Sequence, residues 1–233
     1  MTGIIRTNPS LRRRLEAILA CGDGNAMLAL FPTLSNSERR TASWLLGEEL
    51  LPRLEGSDAF MYWFDVLTAA DVRAHLGTCL KAAASRLSRG TVDLADPRWD
   101  RFAARATAID RRKTLDALLP PAADLTTTDR LLKRFAAGSI ESTATACLRA
   151  ATTPALFRLF TTLQSIEGDT ERIVPIYKAL LKLGHRRAFK TASLVRSHFG
   201  LESLPGTLSL HLEPWQTDRV AVDYDKFARL MEE

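Results

Sequence analysis

The sequence predicts an all-α chain: an irregular helical-repeat, α-solenoid-like array of antiparallel helix pairs, closed by a short C-terminal β-hairpin. Three observations predict it. Apolar residues recur at helical spacing nearly throughout, as in the stripe Val72, Leu76, Cys79, Leu80, Ala83 and Leu87. Glycine follows such segments at Gly22, Gly56, Gly90, Gly138, Gly168, Gly184 and Gly200. A glycine just past a helix takes the left-handed cap conformation without steric cost. The chain also repeats itself.

The repeat is read from "AMLALFPTLSNSERR", starting at Ala26, and "AFMYWFDVLTAADVR", starting at Ala59, 33 residues later. Both run from Ala through an apolar stretch to Phe (Phe31, Phe64), then Leu (Leu34, Leu67), a hydroxyl residue and an acid. "ALFRLFTTLQSIE" from Ala155 matches through Phe160, Leu163 and Glu167. A weaker copy, "ALLPPAADLTTTD" from Ala117, lacks the Phe. Each apolar half is a first helix. Ser35 with Glu38, Thr68 with Asp71 and Thr126 with Asp129 have capping-box spacing and predict the start of a second helix. Such a pair cannot bury both faces alone, and stacked neighbours supply the missing core. Phe31, Phe64 and Phe160 are expected at equivalent buried positions. The spacing is that of tetratricopeptide and ankyrin repeats, but neither consensus is present.

After the second copy, "GTVDLADPRWDRFAARATAIDRRK" predicts a loop and an extra helix. Asp169 to Leu183 predicts a helix with a start or kink at Pro175. Arg186 to Phe199 predicts the next. "TLSLHLE" and "RVAVD" alternate apolar and polar residues around "PWQTD", which predicts the β-hairpin at about residues 207–223. Residues 1–168 are read as the array, and 169–233 as a helix-turn-helix, hairpin and final helix continuous with it.

Composition bounds the chemistry. There are 32 Lys and Arg against 27 Asp and Glu, a net charge of +5. That permits an anionic partner without requiring one. The cysteines, Cys21, Cys79 and Cys147, are odd in number and scattered over apolar helical stretches, which fits small hydrophobes in a reducing compartment. No stretch is apolar enough to span a membrane, and the N-terminus is a poor signal peptide. The chain is read as cytoplasmic.

No catalytic constellation emerges, and neither a cofactor nor a metal is expected. His75, His185, His198 and His211 lack ligand spacing to one another or to cysteine. His75 is read as a satisfied core or boundary residue. "GDGNAM" at Gly22 follows a helix and puts Met27 where a dinucleotide fingerprint needs glycine, so it is read as a cap and turn. Glu48 and Glu49 are adjacent and diverge on a helix. An enzyme that assembles its site from distant positions stays open as a minor alternative. The aromatic run "AFMYWFD" is read as a central helix covered on several sides, with an exposed binding anchor as the alternative.

The sharpest functional signal is "LLKLGHRRAFKTASLVRSHFG", Leu180 to Gly200. From Arg172 to Leu201 there is no acid and there are seven Lys or Arg. Ala188, Ala192, Val195 and Phe199 share one helical face, and Arg186, Lys190, Ser193 and Ser197 the other. Lys182, Arg186, Arg187, Lys190, Ser193 and Ser197 form the candidate nucleic-acid-binding set, since Lys and Arg neutralise phosphates and Ser contacts them. Helix-turn-helix followed by hairpin resembles winged-helix DNA-binding modules in the order of elements alone. Two functions follow. The first is a non-enzymatic helical-repeat protein that binds a protein partner. The second is a nucleic-acid-binding protein that uses this basic segment. A carboxylate paired with Arg186, Arg187 and Lys190 would weaken the second reading, and free side chains would strengthen it.

Overall fold

The computed structural model describes residues 9–92, 96–122, 124–136, 139–201 and 222–232. The chain forms two compact units, Met1–Pro121 and Ala122–Glu233. The third repeat copy, which begins at Ala117, therefore spans the division between them.

The first unit holds α1 (Pro9–Cys21), α2 (Gly24–Thr33), α3 (Asn36–Trp44), α4 (Gly56–Ala70), α5 (Val72–Ser88) and α6 (Pro97–Leu118). Helix α1 packs on α2 and α3, α2 on α4, and α4 and α5 on α6. "GDGNAM" is a cap and turn: Asp23 accepts from the Ala26 N–H at 2.9 Å and starts α2. Ser35 and Glu38 form the full capping box at the head of α3. The other two expected boxes are corrected. Thr68 lies inside α4, where its hydroxyl donates to the Phe64 carbonyl at 2.6 Å, and Asp71 itself caps α5 through the Ala74 N–H. Asp124, not Thr126, caps helix Leu125–Phe135 by accepting from Thr127. In both cases an Asp outcompetes the nearby hydroxyl, because its charged acceptor also meets the positive end of the helix. The extra helix α6 breaks at Asp110, whose φ of −156° and ψ of 93° are not helical, and whose carboxylate caps the second half through the Lys113 N–H.

Helix α3 does not stop at Trp44. It widens into a π turn over Leu45–Leu50, with the Leu51 N–H on the Leu46 carbonyl, and then tightens to a 3₁₀ turn over Leu51–Arg53. Pro52 gives the reason. It has no N–H, and its ring would clash with the carbonyl four residues back in a regular helix. The π turn lies against α5 at Gly47, where a Cβ would sit 3.1 Å from the Thr78 carbonyl oxygen. No larger residue allows this approach without a shift.

The run "AFMYWFD" is a central helix, as read. Phe60, Trp63 and Phe64 are each no more than 2% exposed. Phe60 stacks on Trp99 at 5.3 Å, and Phe64 meets Phe102 edge-on at 4.7 Å. Tyr62 is the exception at 44% exposed. Its hydroxyl donates to the Gly22 carbonyl at 2.8 Å and accepts from the Gly24 N–H at 3.2 Å, so it ties α4 to the turn between α1 and α2. Tyr62→Phe removes both bonds and is expected to cost about 1 kcal/mol. Thermal unfolding checks this, and an unchanged midpoint would show the tie to be idle.

The second unit holds α7 (Leu125–Phe135), α8 (Ile140–Ala150), α9 (Thr153–Gln164), α10 (Thr170–Lys182), α11 (Arg186–His198) and α12 (Tyr224–Glu232). Pro175 lies inside α10, which starts five residues earlier at Thr170, capped by Asp169. Helix α9 is the hub, packed by α7, α8, α11 and α12. Phe160, fully buried, lies 5.1 Å from the His198 ring and 6.3 Å from Phe227.

One correction to the expected fold follows. The chain is all-α, but no strand is found among the described residues. The alternating stretch expected to form the hairpin lies outside them, except for Val222 and Asp223. Those two lead straight into α12, with Asp223 accepting from the Lys226 N–H. Within the second unit α12 returns to cover α9. The repeat positions diverge: Phe64 and Phe160 are buried, and Phe31 is half-buried.

Candidate functional site

The structure splits the six sequence-predicted residues of the basic segment. Lys182, Arg186 and Arg187 are exposed. Among the described residues, no acidic side chain forms an ion pair with them. Lys178, one turn before Lys182 on α10, is also exposed. The other three are drawn into the fold. Lys190 is only 5% exposed, and its Nζ donates to the Leu230 carbonyl at 2.6 Å. Ser193 and Ser197 are half-buried, and neither is free.

The reason lies at the end of α12. The last four carbonyls of a helix have no partner within it, and the helix dipole makes that end negative. Leu230 is one of these, and the Lys190 ammonium meets both needs. Beside it, Thr191 donates to the Arg187 carbonyl at 2.9 Å and reaches Met231 Sδ at 3.6 Å. The polar flank of α11 is thus an internal seam that receives α12. Among the other cations of the acid-free run, Arg172 pairs with Glu141 at 2.5 Å. His185 caps α11 by accepting from the Ala188 N–H at Nδ1.

A second candidate lies in the first unit, between the second helices of the first two repeat copies. Arg39, Arg40, Ser43 and Trp44 of α3 face Ala74, Gly77, Thr78 and Lys81 of α5 across a cavity of about 360 Å³. It continues into a cavity of about 320 Å³ that shares Arg39, Ser43 and Ala74 and adds Leu28, Phe31, Pro32, Asp71 and His75. The two make one groove with a basic end and an apolar end. Arg39 is built in: its Nε donates to the Phe31 and Leu34 carbonyls, and its Nη2 to that of Pro32. It thereby satisfies the last carbonyls of α2 while lending its charge to the groove. Arg40 is exposed, with no carboxylate partner among the described residues. Lys81 meets Glu48 at 3.5 Å, with both side chains well exposed. Sequence reasoning missed the groove, because its walls come from helices about 40 residues apart. The only available signal was the repeat itself, which sets like helices side by side.

His75 forms part of the apolar end, with its ring 4.4 Å from Phe31. It is 5% exposed, as a core residue should be, but its buried Nδ1 has no hydrogen-bond partner among the described residues. Burial pushes its pKa below the ordinary 6.5, against a smaller opposing pull from Asp71. The unfolded chain therefore takes up the proton first. The stability contributed by neutral His75 is complete above about pH 6.5 and is lost as pH falls through the lower folded value. His75→Gln should flatten the acid side of the stability profile below about pH 6.5, as read by urea unfolding at each pH. An unchanged slope would mean that another group carries it.

The buried thiols are inert. Burial pushes Cys79 and Cys147 up to about 12, so both stay protonated at neutral pH. Cys21 is exposed at the end of α1, against the expectation of an apolar setting. Among the described residues, no three His, Cys, Asp or Glu are grouped to hold a metal. No helix among them is long and apolar enough to cross a membrane. The chain matches no protein-family model, no curated protein and no solved structure.

Proposed function

We propose that this chain is a non-enzymatic helical protein of the cytoplasm, and that it binds another protein in the groove between α3 and α5. The make-up of the groove carries this reading. Half-buried Phe31 and Trp44 stand beside Arg39, Arg40 and Lys81 in a cleft that the fold leaves unfilled. An aromatic floor with an arginine rim is the combination in which a few contacts supply most of the binding energy. A photoreactive residue at Ser43 tests it in the native host. The expected adduct is protease-sensitive, nuclease-resistant and absent when the probe sits at exposed Arg13 on α1. No adduct at Ser43, or a nuclease-sensitive one, overturns the reading.

A second reading, nucleic-acid binding, has its own support. Arg186 and Arg187 open α11, where the helix dipole disfavours cations, and no described carboxylate offsets them. A phosphate there would be favoured by both. If Lys182, Arg186 and Arg187 each neutralise a phosphate, log affinity for duplex DNA should fall against log salt with a slope of about −2.7. Changing all three to Ala should flatten that slope without unfolding the chain, since the side chains are exposed. Lys190 does not belong in that set. Electrophoretic mobility across a salt series decides. No shift at about 50 mM salt and micromolar protein retires the second reading.

A further inference from the structure

Resting on the groove reading, we infer that the segment the groove accepts is acidic: a short stretch of a partner protein with carboxylates set beside one or two apolar anchors. The charges around the basic end carry this. Arg39 and Arg40 line one wall and Lys81 the other. A fourth cation, Lys113 of α6, reaches the same wall, its Nζ 3.3 Å from where a Cβ on Gly77 would lie. Against these four stands Glu48, bound at 3.5 Å to an exposed Lys81. Arg40 and Lys113 have no carboxylate among the described residues. The one acid lining the groove, Asp71, lies at the far, apolar end, where it caps α5.

Length narrows the class. Along α5 the lining runs from Asp71 to Lys81, about 15 Å at the helical rise per residue. That matches four or five extended residues or about three helical turns. Arg40 and Lys81 lie at one end of this length, Leu28, Phe31 and Pro32 at the other, and Arg39 borders both. An acidic peptide with an apolar side chain to one side of its carboxylates satisfies both halves. A phosphate backbone would leave the apolar half empty.

The test is selection of seven-residue peptides displayed on phage against the full chain, followed by fluorescence anisotropy of the selected peptides. Selected sequences should be enriched in Asp and Glu next to Leu or an aromatic residue. The double variant Arg40→Glu, Lys81→Glu should weaken binding about tenfold or more, and raised salt should weaken the parent complex. Both substituted positions are exposed, so circular dichroism should remain that of the parent. Peptides that are neutral or basic, yet lose binding when Ser43→Trp fills the cleft, overturn the acidic class and leave the protein-binding reading standing. Selected peptides whose binding survives both variants overturn the groove itself. If no peptide is selected but a single-stranded oligonucleotide binds and is lost in the double variant, both the inference and the protein-binding reading fall.

Discussion

Phe160→Ala is expected to destabilise the second unit by about 3–5 kcal/mol, the range for truncating a fully buried aromatic. Phe160 is fully buried on the hub helix α9, and its ring meets His198 of α11, Phe199 and Phe227 of α12. The cavity cannot collapse easily, because helices on different sides hold it open. With a urea dependence of about 2 kcal/mol per molar for a domain of this size, the midpoint should drop by about 2 M. Phe31→Ala, at the matching repeat position, should cost only about 1 kcal/mol. Its ring is half-buried and borders an open groove, so it loses less contact and leaves no closed void. Equal losses at the two positions would show that the repeat positions are energetically alike after all. A loss below about 1 kcal/mol at Phe160 would remove α9 as the hub.

Arg86→Met should cost about 3 kcal/mol. The guanidinium is nearly buried and donates to the Leu54 carbonyl at 2.6 Å and the Gly56 carbonyl at 3.2 Å. It also lies 5.4 Å from the centre of the Phe60 ring. These bonds hold the link between the 3₁₀ turn and α4. Removing the donor forfeits two charge-assisted bonds, to the half-buried Leu54 carbonyl and the exposed Gly56 carbonyl, and water can replace the second more readily than the first. Arg86→Lys should recover only part of the loss, since an ammonium lacks the planar fork that spans two carbonyls. Urea unfolding of both variants measures this, and full recovery with Lys would mean that charge alone suffices. Arg53 lies 33 residues before Arg86, at the same offset as the first two repeat copies, but it is exposed, and its replacement should be neutral within about 0.5 kcal/mol.

What could be read from the residues was local. Ser35 and Glu38 announce a helix start because both groups lie within three residues of each other. Gly22, with φ of +66°, announces a stop. The aromatic run around Trp63 exceeded what one helical face can hold, so cover on several sides followed. What escaped reading depends on partners distant in sequence. Lys190 looks like a surface cation until the end of α12, 40 residues on, sits over it. Its four-carbon stem lets a charge reach inward as readily as outward. The groove needs Arg39 and Lys81 on facing walls, which periodicity within either helix cannot reveal. The half-burial of Phe31 follows from His75 and the open cleft, which no pattern in "AMLALFPTL" encodes.

The π turn between Leu45 and Leu50 bears on how this chain compares with others that share its ancestry. A π turn is how a helix absorbs one surplus residue without rotating what comes before or after it. A homologue one residue shorter there would run a straight helix through the same place. Its Arg39–Trp44 wall would keep its orientation, and the helix face that follows would still meet α5. A one-residue gap in an alignment over this turn is therefore no sign that the groove has been lost. Replacement of Pro52 in the same homologue would be the matching change, because the proline is what keeps a regular turn from forming there.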